Sequence, residues 1–182
     1  PGYEPLFIAE TLEMYPAGQV HVVETPLNMG LVQAIRGTTI DAAATSLSRA
    51  LHWANDGVDI TILLALDYSN GADVLLAHPS IASVHDLAGK TIAGDMTSVN
   101  GYLLMRALEE AGLPPNAVTV VDLPNNQLAS AYTAGQIQAA TTFDASEEAL
   151  LALGAHTIFD SSDIPGEISD VLIVRTNYLK QN

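Results

Sequence analysis

Two stretches of this 182-residue chain, one in each half, have closely similar sequences. Residues 20–37 (VHVVETPLNMGLVQAIRG) and residues 118–135 (VTVVDLPNNQLASAYTAG) align without a gap, and each is followed by a run of small residues. Each copy has the pattern of a buried strand, a turn marked by proline, a helix closed by glycine and a second strand. A βαβ unit that occurs twice predicts an α/β fold with two similar lobes.

The rest of the chain also alternates between strand and helix patterns. Helices are predicted at residues 5–14, 46–55, 101–111 and 146–153, and strands at 59–66, 73–77, 91–93, 157–159 and 171–174. The segments 67–73 (DYSNGAD) and 163–170 (DIPGEISD) are predicted to be two hinge crossings between the lobes. The predicted lobes are residues 1–70 with 171–182, and residues 71–170.

Charge and composition exclude several classes of protein. The chain carries 21 acidic residues against six Lys and Arg, a net charge of −15, so it would repel the phosphate backbone of nucleic acid. It has no cysteine, which excludes disulfides and thiolate chemistry. Its apolar runs are too short to span a membrane. The chain opens on Pro1 without Met or an apolar leader, and it is interpreted as a mature or trimmed chain.

Polar residues at strand ends are the candidate ligand contacts. In open parallel sheets, ligands bind outside the carboxyl ends of the strands, where helix N-termini present N–H groups. The residues predicted at such places are Gly2, Tyr3, Glu4, Thr45, Ser46, Ser69, Thr97, Ser98, Asn100, Phe143 and Asp144. The hydroxyl groups either cap helices or bind ligand, and the aromatic rings of Tyr3 and Phe143 either stack on a flat ligand or pack in the core.

No catalytic constellation is found. Motifs of serine hydrolases, zinc peptidases and phosphate-binding loops are absent, and the histidines lack the spacing of metal ligands. His52 and Asp56, four residues apart in a predicted helix, form a solvated pair rather than a catalytic base. The chain is therefore predicted not to be an enzyme and to have no catalytic residue, no metal and no cofactor.

Several segments together resemble one known family. They are GYEPLFIAE (2–10), RGTTIDAAATSLSRAL (36–51), DYSNGAD (67–73), VHDLAGKTI (84–92) and DVLIVRTNYL (170–179). Their order and spacing are similar to those of the nitrate, sulfonate and taurine (NMT1/THI5-like) family of ABC-transporter substrate-binding proteins. The resemblance implies the type II periplasmic-binding-protein fold, in which two α/β lobes joined by a two-crossing hinge hold a ligand in the cleft, with contacts at the positions named above.

The resemblance also implies a function. It predicts capture of a small anionic or heteroaromatic solute, such as a sulfonate, nitrate or a thiamin pyrimidine, for an ABC permease. The place would be periplasmic or extracytoplasmic, with or without a lipid anchor. Alternatives are a ligand-sensing domain of a signalling protein, or an enzyme on the same fold that resembles thiamin-pyrimidine synthases or menaquinone-pathway lyases.

The sequence departs from the family pattern at both ends. The family has a strand ahead of the GYEPLF segment and a helical return after the TNYL segment, and lobe one is therefore expected to be incomplete. A second copy in a homodimer could complete it, residues outside this sequence could do so, or the lobe could be reorganised.

Overall fold

The computed structural model describes residues 3–16, 18–25 and 28–182. The helices are α1 (Glu4–Thr11), α2 (Asn28–Arg36), α3 (Leu47–Asn55), α4 (Val99–Glu110), α5 (Asn125–Thr133), α6 (Ala145–Ala152) and α7 (Thr176–Gln181). The strands are β1 (Ala42–Ser46), β2 (Ile60–Tyr68), β3 (Val74–Ala77), β4 (Thr91–Gly94), β5 (Thr119–Asp122), β6 (Ala139–Thr142), β7 (His156–Asp160) and β8 (Ser169–Arg175). None of the helices in the described ranges is long and apolar enough to cross a membrane.

The chain divides into two compact units. Unit 1 contains Pro1–Tyr68 and Ser169–Asn182, and unit 2 contains Ser69–Ile168. The chain thus passes from one unit to the other inside the segment 67–73 and returns inside the segment 163–170.

Unit 2 is a five-stranded sheet with the order β5-β4-β6-β3-β7. Strand β4 is parallel to both of its neighbours, β5 and β6, whereas β3 is antiparallel to β6 and β7. Successive parallel strands need a crossover connection, and the helices α4 and α5 supply it. Both faces of the sheet are covered, which explains why all four residues of β3 are buried.

Helix α4 covers one face of this sheet and helices α5 and α6 cover the other. Apolar residues at helical spacing on α4 meet one set of strand side chains, and the alternate strand side chains meet α5 and α6. The buried helix residues are Leu103, Leu104, Ala107 and Leu108 on one face and Leu128, Ala131 and Leu150 on the other. Each fully buried leucine contributes about 1.5–3 kcal/mol of transfer free energy.

Unit 1 contains a three-stranded sheet with the order β1-β8-β2. Strand β8 is antiparallel to both neighbours, so β1 and β2 run in the same direction on either side of it. Helices α2 and α3 pack on one face, where Ile35, Ala50 and Trp53 meet Val171 and Ile173. The predicted βαβ unit implies two parallel strands that are neighbours. Among the described strands of unit 1 this is wrong, because β8 lies between the parallel strands β1 and β2.

The predicted repeat forms as expected in its second copy only. Residues 118–142 give β5, α5 and β6, as predicted. In the first copy, α2 and β1 form, but residues 20–25 are irregular, and Val20 and Val23 are 41% and 61% exposed. The predicted strand there is wrong. In unit 2 the partner of β5 is β4, and no described strand of unit 1 takes the corresponding place beside β1.

The other predicted elements form with shifts of a few residues at their ends. The largest difference concerns α1, which ends at Thr11 rather than Met14 and has no buried residue. Leu12, which belongs to the predicted helix 5–14, lies beyond the end of α1 and is 65% exposed.

Candidate functional site

One edge of the unit 2 sheet collects most of the predicted contact residues. The carboxyl ends of β4, β5, β6 and β7 lie there, together with the amino end of the antiparallel strand β3. Helices α4, α5 and α6 all begin just after these strand ends. The first turn of a helix has N–H groups without intrahelical partners, so this edge presents hydrogen-bond donors from three helices. We call it the strand-end edge of unit 2.

The loop that follows β4 is closed by its own hydrogen bonds. Thr97 donates from its N–H and its Oγ1 to Oδ1 of Asp95, over 3.1 and 2.8 Å. Ser98 donates from Oγ to the carbonyl of Asp95 over 2.7 Å and accepts from the N–H of Asn100 over 3.2 Å. Ser98 is thus the N-cap of α4. Both hydroxyl protons are donated within the loop. Each hydroxyl can therefore offer a ligand only its oxygen, as a hydrogen-bond acceptor.

Asn100 and Thr141 place polar atoms in the interior below the helix starts. Both residues are fully buried. Asn100 donates from Nδ2 to Oδ1 of Asn125, over 3.3 Å, and so ties the start of α4 to the start of α5. Oδ1 of Asn100 and Oγ1 of Thr141 have no hydrogen-bond partner among the described residues. A buried polar atom left without a partner costs about 1–3 kcal/mol, so a water molecule or a ligand group is expected at each.

Phe143 and Asp144 follow β6 at the same edge. The Phe143 ring is 36% exposed, at the surface rather than in the core. Asp144 has φ 54° and ψ −140° and precedes α6 without a side-chain cap hydrogen bond. This backbone region is strained for a residue with a side chain, at a cost of about 1–3 kcal/mol. Strain of this kind is typical of ligand-contact loops.

Ser69 lies at the same edge, beside β3 and β7. Its Oγ donates to Oδ2 of Asp73 over 2.5 Å and lies 2.8 Å from Oγ of Ser161. The N–H of Gly71 donates to the same Ser161 oxygen over 2.7 Å. The structure therefore brings the predicted residues of unit 2 to one edge of one sheet, where Ser69 is held by a buried carboxylate.

The electrostatic surroundings of this edge are acidic despite the helix N-termini. Burial raises the pKa of the Glu147 carboxyl, and the charges of Glu148, Asp144 and Asp160 raise it further. Both cations of unit 2 lie away from the edge. Lys90 precedes β4 at its amino end, and Arg106 is bound by Glu167, Glu109 and Glu110.

Ser46 is the predicted residue of unit 1 that lies at one edge of its sheet. Ser46, 6% exposed, ends β1 opposite Asp170 of β8, and Asp67 of β2 lies opposite Asp170 on the other side. Tyr3 is half-buried, and the charges of both carboxylates act on its hydroxyl. Burial raises the pKa of Tyr3 well above its ordinary value, the carboxylates of Asp170 and Asp67 raise it further, and the charge of Arg49 lowers it.

The other predicted residues of unit 1 make no side-chain hydrogen bond in the described part of the chain. Thr45 is 1% exposed, and its Oγ1 has no partner in the described part of the chain. Glu4 is exposed in the first turn of α1. Gly2 lies outside the described residues.

Sequence reasoning missed Asp67 and Asp170 as members of this cluster. Both were identified only as ends of the two crossing segments. The sequence does show that each of these carboxylates borders an apolar strand at the point where the chain changes units. It does not show that the two strands pair, because they lie far apart in the chain.

A separate cavity of about 220 Å³ lies at the opposite end of the unit 1 sheet. It is lined by Ile35, Arg36, Thr38, Gly57, Val58, Asp59, Arg175 and Asn177. Both cations of this lining are already engaged, since Arg36 donates to the Asp56 carbonyl and Arg175 binds Asp41 and the Ile40 carbonyl. The residues that the structure describes include no group of three or more His, Asp or Glu side chains that could hold a metal ion.

The curated proteins that are similar to this chain include two binding proteins of Escherichia coli K12. The chain is 26% identical over 132 residues to the taurine-binding periplasmic protein of Escherichia coli K12, covering 71% of this chain and 41% of that protein. It is 26% identical over 153 residues to a putative aliphatic sulfonates-binding protein of the same organism, covering 82% and 48%. The chain therefore spans less than half the length of these relatives.

Solved structures show the same fold. The periplasmic aliphatic sulphonate binding protein SsuA of Escherichia coli superposes with a TM-score of 0.85 at 23% identity, over 100% of this chain and 59% of that one. The alkanesulfonate-binding protein SsuA of Xanthomonas axonopodis pv. citri, bound to MOPS, superposes with a TM-score of 0.77 at 23% identity, over 97% and 63%. The fold is the α/β fold of periplasmic solute-binding proteins, and a family model described as NMT1/THI5 like matches residues 16–182. The chain belongs to the NMT1/THI5-like family.

Proposed function

We propose that this chain carries ligand-binding loops of a substrate-binding component of an ABC importer, and that its ligand is a small sulfonate-type monoanion. The proposal is supported by the family, and by relatives that are named as binding proteins for taurine and aliphatic sulfonates. By the same relatives we place the protein in the periplasm, with an ABC permease as partner and no catalytic turnover.

The observation that carries the proposal is the convergence of three helix starts on the strand-end edge of unit 2. Helices α4, α5 and α6 begin there, and Asn100 links the first two. A sulfonate group has three oxygens that only accept hydrogen bonds, and it is matched by backbone N–H donors.

The acidic surroundings favour a monoanion over a dianion. Asp144, Glu147 and Glu148 lie at the start of α6, and neither cation of unit 2 lies at the edge. Like charges repel more strongly as the ligand charge rises, and backbone N–H groups do not offset a second charge. We therefore expect ethanesulfonate, a monoanion, and taurine, a zwitterion whose sulfonate carries one negative charge, to bind better than sulfate or hydrogen phosphate.

A thermal-shift series tests this proposal. The chain is melted with ethanesulfonate, taurine, nitrate, sulfate, phosphate and acetate, each at increasing concentration. A ligand at about 100 times its Kd stabilises by about 2.7 kcal/mol, which for a chain of this size raises the Tm by about 5–10 °C. A rise with the sulfonates and little with the dianions is expected. If no sulfonate raises the Tm, the proposal is wrong.

A homodimer that completes unit 1 stays a prediction. Sedimentation of the chain at several concentrations checks it directly.

A further inference from the structure

Two buried polar atoms of unit 2 have no hydrogen-bond partner at the place where α4 meets the sheet. They are Oδ1 of Asn100, in the first turn of α4, and Oγ1 of Thr141, in β6, and both are unpaired among the described residues. Both residues are 0% exposed. An unpaired polar atom in the interior is unfavourable, so the pair points to a group that binds there in another state of the protein.

The Thr141 hydroxyl lies on the face of the sheet that α4 covers. Along β6, Ala139 packs in the core under α4 and Ala140 in the core under α5 and α6, so the side chain of Thr141 points to the α4 face. A Cβ atom on Gly94, at the end of β4, would lie 2.3 Å from Oγ1 of Thr141. The hydroxyl therefore lies over Gly94, where only a glycine leaves room for it.

The carboxamide of Asn100 is held so that its oxygen stays free. Its Nδ2 donates to Oδ1 of Asn125 over 3.3 Å, which leaves Oδ1 of Asn100 as the unpaired atom. A carboxamide oxygen only accepts hydrogen bonds, whereas a threonine hydroxyl both donates and accepts. A hydroxyl or ammonium group can therefore bond to both atoms. A sulfonate oxygen cannot, because it has no proton for Asn100.

The side chain of Met96 covers this place. Its Cε would lie 3.0 Å from the same Cβ atom on Gly94, so the methyl group lies beside the Thr141 hydroxyl, and Met96 packs against the core under α4. Methionine is unbranched and has three rotatable side-chain bonds, so it can move aside without disturbing the backbone. A ligand group that displaces this methyl group reaches polar atoms that otherwise have no partner.

We infer that Asn100, Thr141 and Met96 form a specificity subsite under the start of α4, and that it takes a hydroxyl or ammonium group carried on the carbon skeleton of the sulfonate. The group displaces the Met96 methyl, donates to Oδ1 of Asn100 and bonds to Oγ1 of Thr141. The inference rests on the proposed function, because it needs the sulfonate at the strand-end edge of unit 2. It narrows the ligand to hydroxyalkane- and aminoalkanesulfonates.

Three ligands of the same length test the inference by titration calorimetry. Ethanesulfonate carries no donor on its carbon skeleton, isethionate carries a hydroxyl group and taurine an ammonium group. Isethionate and taurine are each expected to bind about tenfold more tightly than ethanesulfonate, because only they bond to the two unpaired atoms. We call this difference the donor advantage.

Thr141→Val replaces the hydroxyl with a methyl group of similar shape. The donor advantage should fall to within about twofold, and the affinity for ethanesulfonate should stay the same. The Tm should not fall, since the lost hydroxyl has no partner among the described residues. Thr142→Val is the matched control: Thr142 is equally buried on the same strand, but its side chain points to the other face, and its Oγ1 lies 3.5 Å from the Phe143 carbonyl oxygen. It should keep the donor advantage.

Asn100→Ala removes the acceptor oxygen and should also abolish the donor advantage. Because it breaks the bond to Asn125 as well, the ratio of affinities is the informative quantity. An equal loss for all three ligands would show that Asn100 has only a structural role.

A second measurement follows the movement of Met96. The four methionines are labelled with ¹³C in their methyl groups, and Met96→Leu identifies the Met96 signal in the NMR spectrum. Isethionate should shift this signal at saturation by more than ethanesulfonate does. Met105, 47% exposed on α4, is the internal control and should not move. A Met96 signal that stays in place while isethionate binds would overturn the inference.

The outcomes separate the two proposals. If none of the three sulfonates binds to wild type, the proposed function is wrong and the subsite is wrong with it. If ethanesulfonate binds as tightly as isethionate and taurine, or if Thr141→Val keeps the donor advantage, the proposed function stands and the subsite alone is wrong.

Discussion

Gly94, the last residue of β4, has no room for a side chain. A Cβ atom there would lie 2.3 Å from Oγ1 and 2.9 Å from the carbonyl oxygen of Thr141. Because the second atom belongs to the backbone of the neighbouring strand, Gly94→Ala must push β4 and β6 apart. We expect a loss of about 1–3 kcal/mol in the free energy of unfolding, measured by urea denaturation.

Gly30 provides a matched control for that substitution. It lies inside α2, it has ordinary backbone angles, and a Cβ atom there would meet nothing within 4 Å. Gly30→Ala should therefore stabilise the protein by about 0.5–1 kcal/mol, through helix propensity alone. If Gly94→Ala left the free energy of unfolding unchanged or raised it, as Gly30→Ala should, the close approach at Gly94 would be wrong.

Individual site residues differ in how far the sequence predicts them. Thr97 and Ser98 could be found because they precede a strong apolar stripe and fit the start of a helix, and Ser98 does cap α4. The link between Asn100 and Asn125 could not be found, because it joins the starts of two helices on opposite faces of a sheet. Asp170 was missed for a similar reason, since its neighbours come from strands more than a hundred residues away in the chain.

At the scale of elements, helix α4 is joined to the return crossing by a charged cluster. Glu167 accepts from Nε of Arg106 and from the Tyr102 hydroxyl, each over 2.7 Å. These bonds lower the pKa of the Glu167 carboxyl, chiefly through Arg106. A carboxyl whose pKa is lowered on folding contributes stability above its unfolded pKa, and this stability is lost as the pH falls through the folded pKa.

The pH dependence of Glu167→Gln follows from that sign. At pH 7 the variant should melt a few degrees below wild type, and the difference should shrink as the pH falls below the ordinary carboxyl range. Melting curves of both proteins between about pH 3, one unit below the ordinary carboxyl range, and about pH 7 measure this difference. Glu109→Gln is the control, because the Glu109 side chain is 73% exposed and its ion pair with Arg106 should contribute little. A difference that stays constant with pH would contradict the assigned role of Glu167.

The elements also show where sequence patterns fail. Residues 20–23 and 118–121 carry the same β-branched pattern, yet only the second forms a strand. Strand propensity is local, but a strand exists only when a neighbour offers hydrogen bonds, and β4 does so for β5. The apolar stripe of α4 was sufficient to predict a buried helix, whereas α1 has apolar residues that no described element buries.

At the scale of the whole molecule, both units have an antiparallel strand inserted between two strands that are parallel to each other. In unit 1, β8 lies between β1 and β2, and in unit 2, β3 lies between β6 and β7, antiparallel to its neighbours in both cases. The inserted strand is the one that follows a crossing between the units. The sequence repeat predicted two similar α/β units, but it could not predict the inserted strands, which lie outside the repeated segments.

The net charge of −15 gives a prediction for ligand binding as a function of salt. A monoanion approaches a strongly negative protein, and the strand-end edge of unit 2 offers N–H groups rather than cations. Raising the ionic strength from about 0.01 M to about 0.3 M screens the repulsion and should leave the affinity for ethanesulfonate unchanged or raise it up to about threefold. Calorimetry in sodium fluoride, which limits competition by chloride, measures it. A severalfold loss of affinity would indicate a site built on cations.

The most direct test of the central claim is a titration of the ¹⁵N-labelled chain with ethanesulfonate, followed by two-dimensional NMR of its amide groups. We expect saturable shifts of the first-turn amides of α4, α5 and α6, including those of Val99, Asn125 and Ser146. Amides around the cavity lined by Arg36 and Arg175 should not move. The absence of saturable shifts, or shifts confined to that cavity, would contradict the claim that the strand-end edge of unit 2 binds the anion.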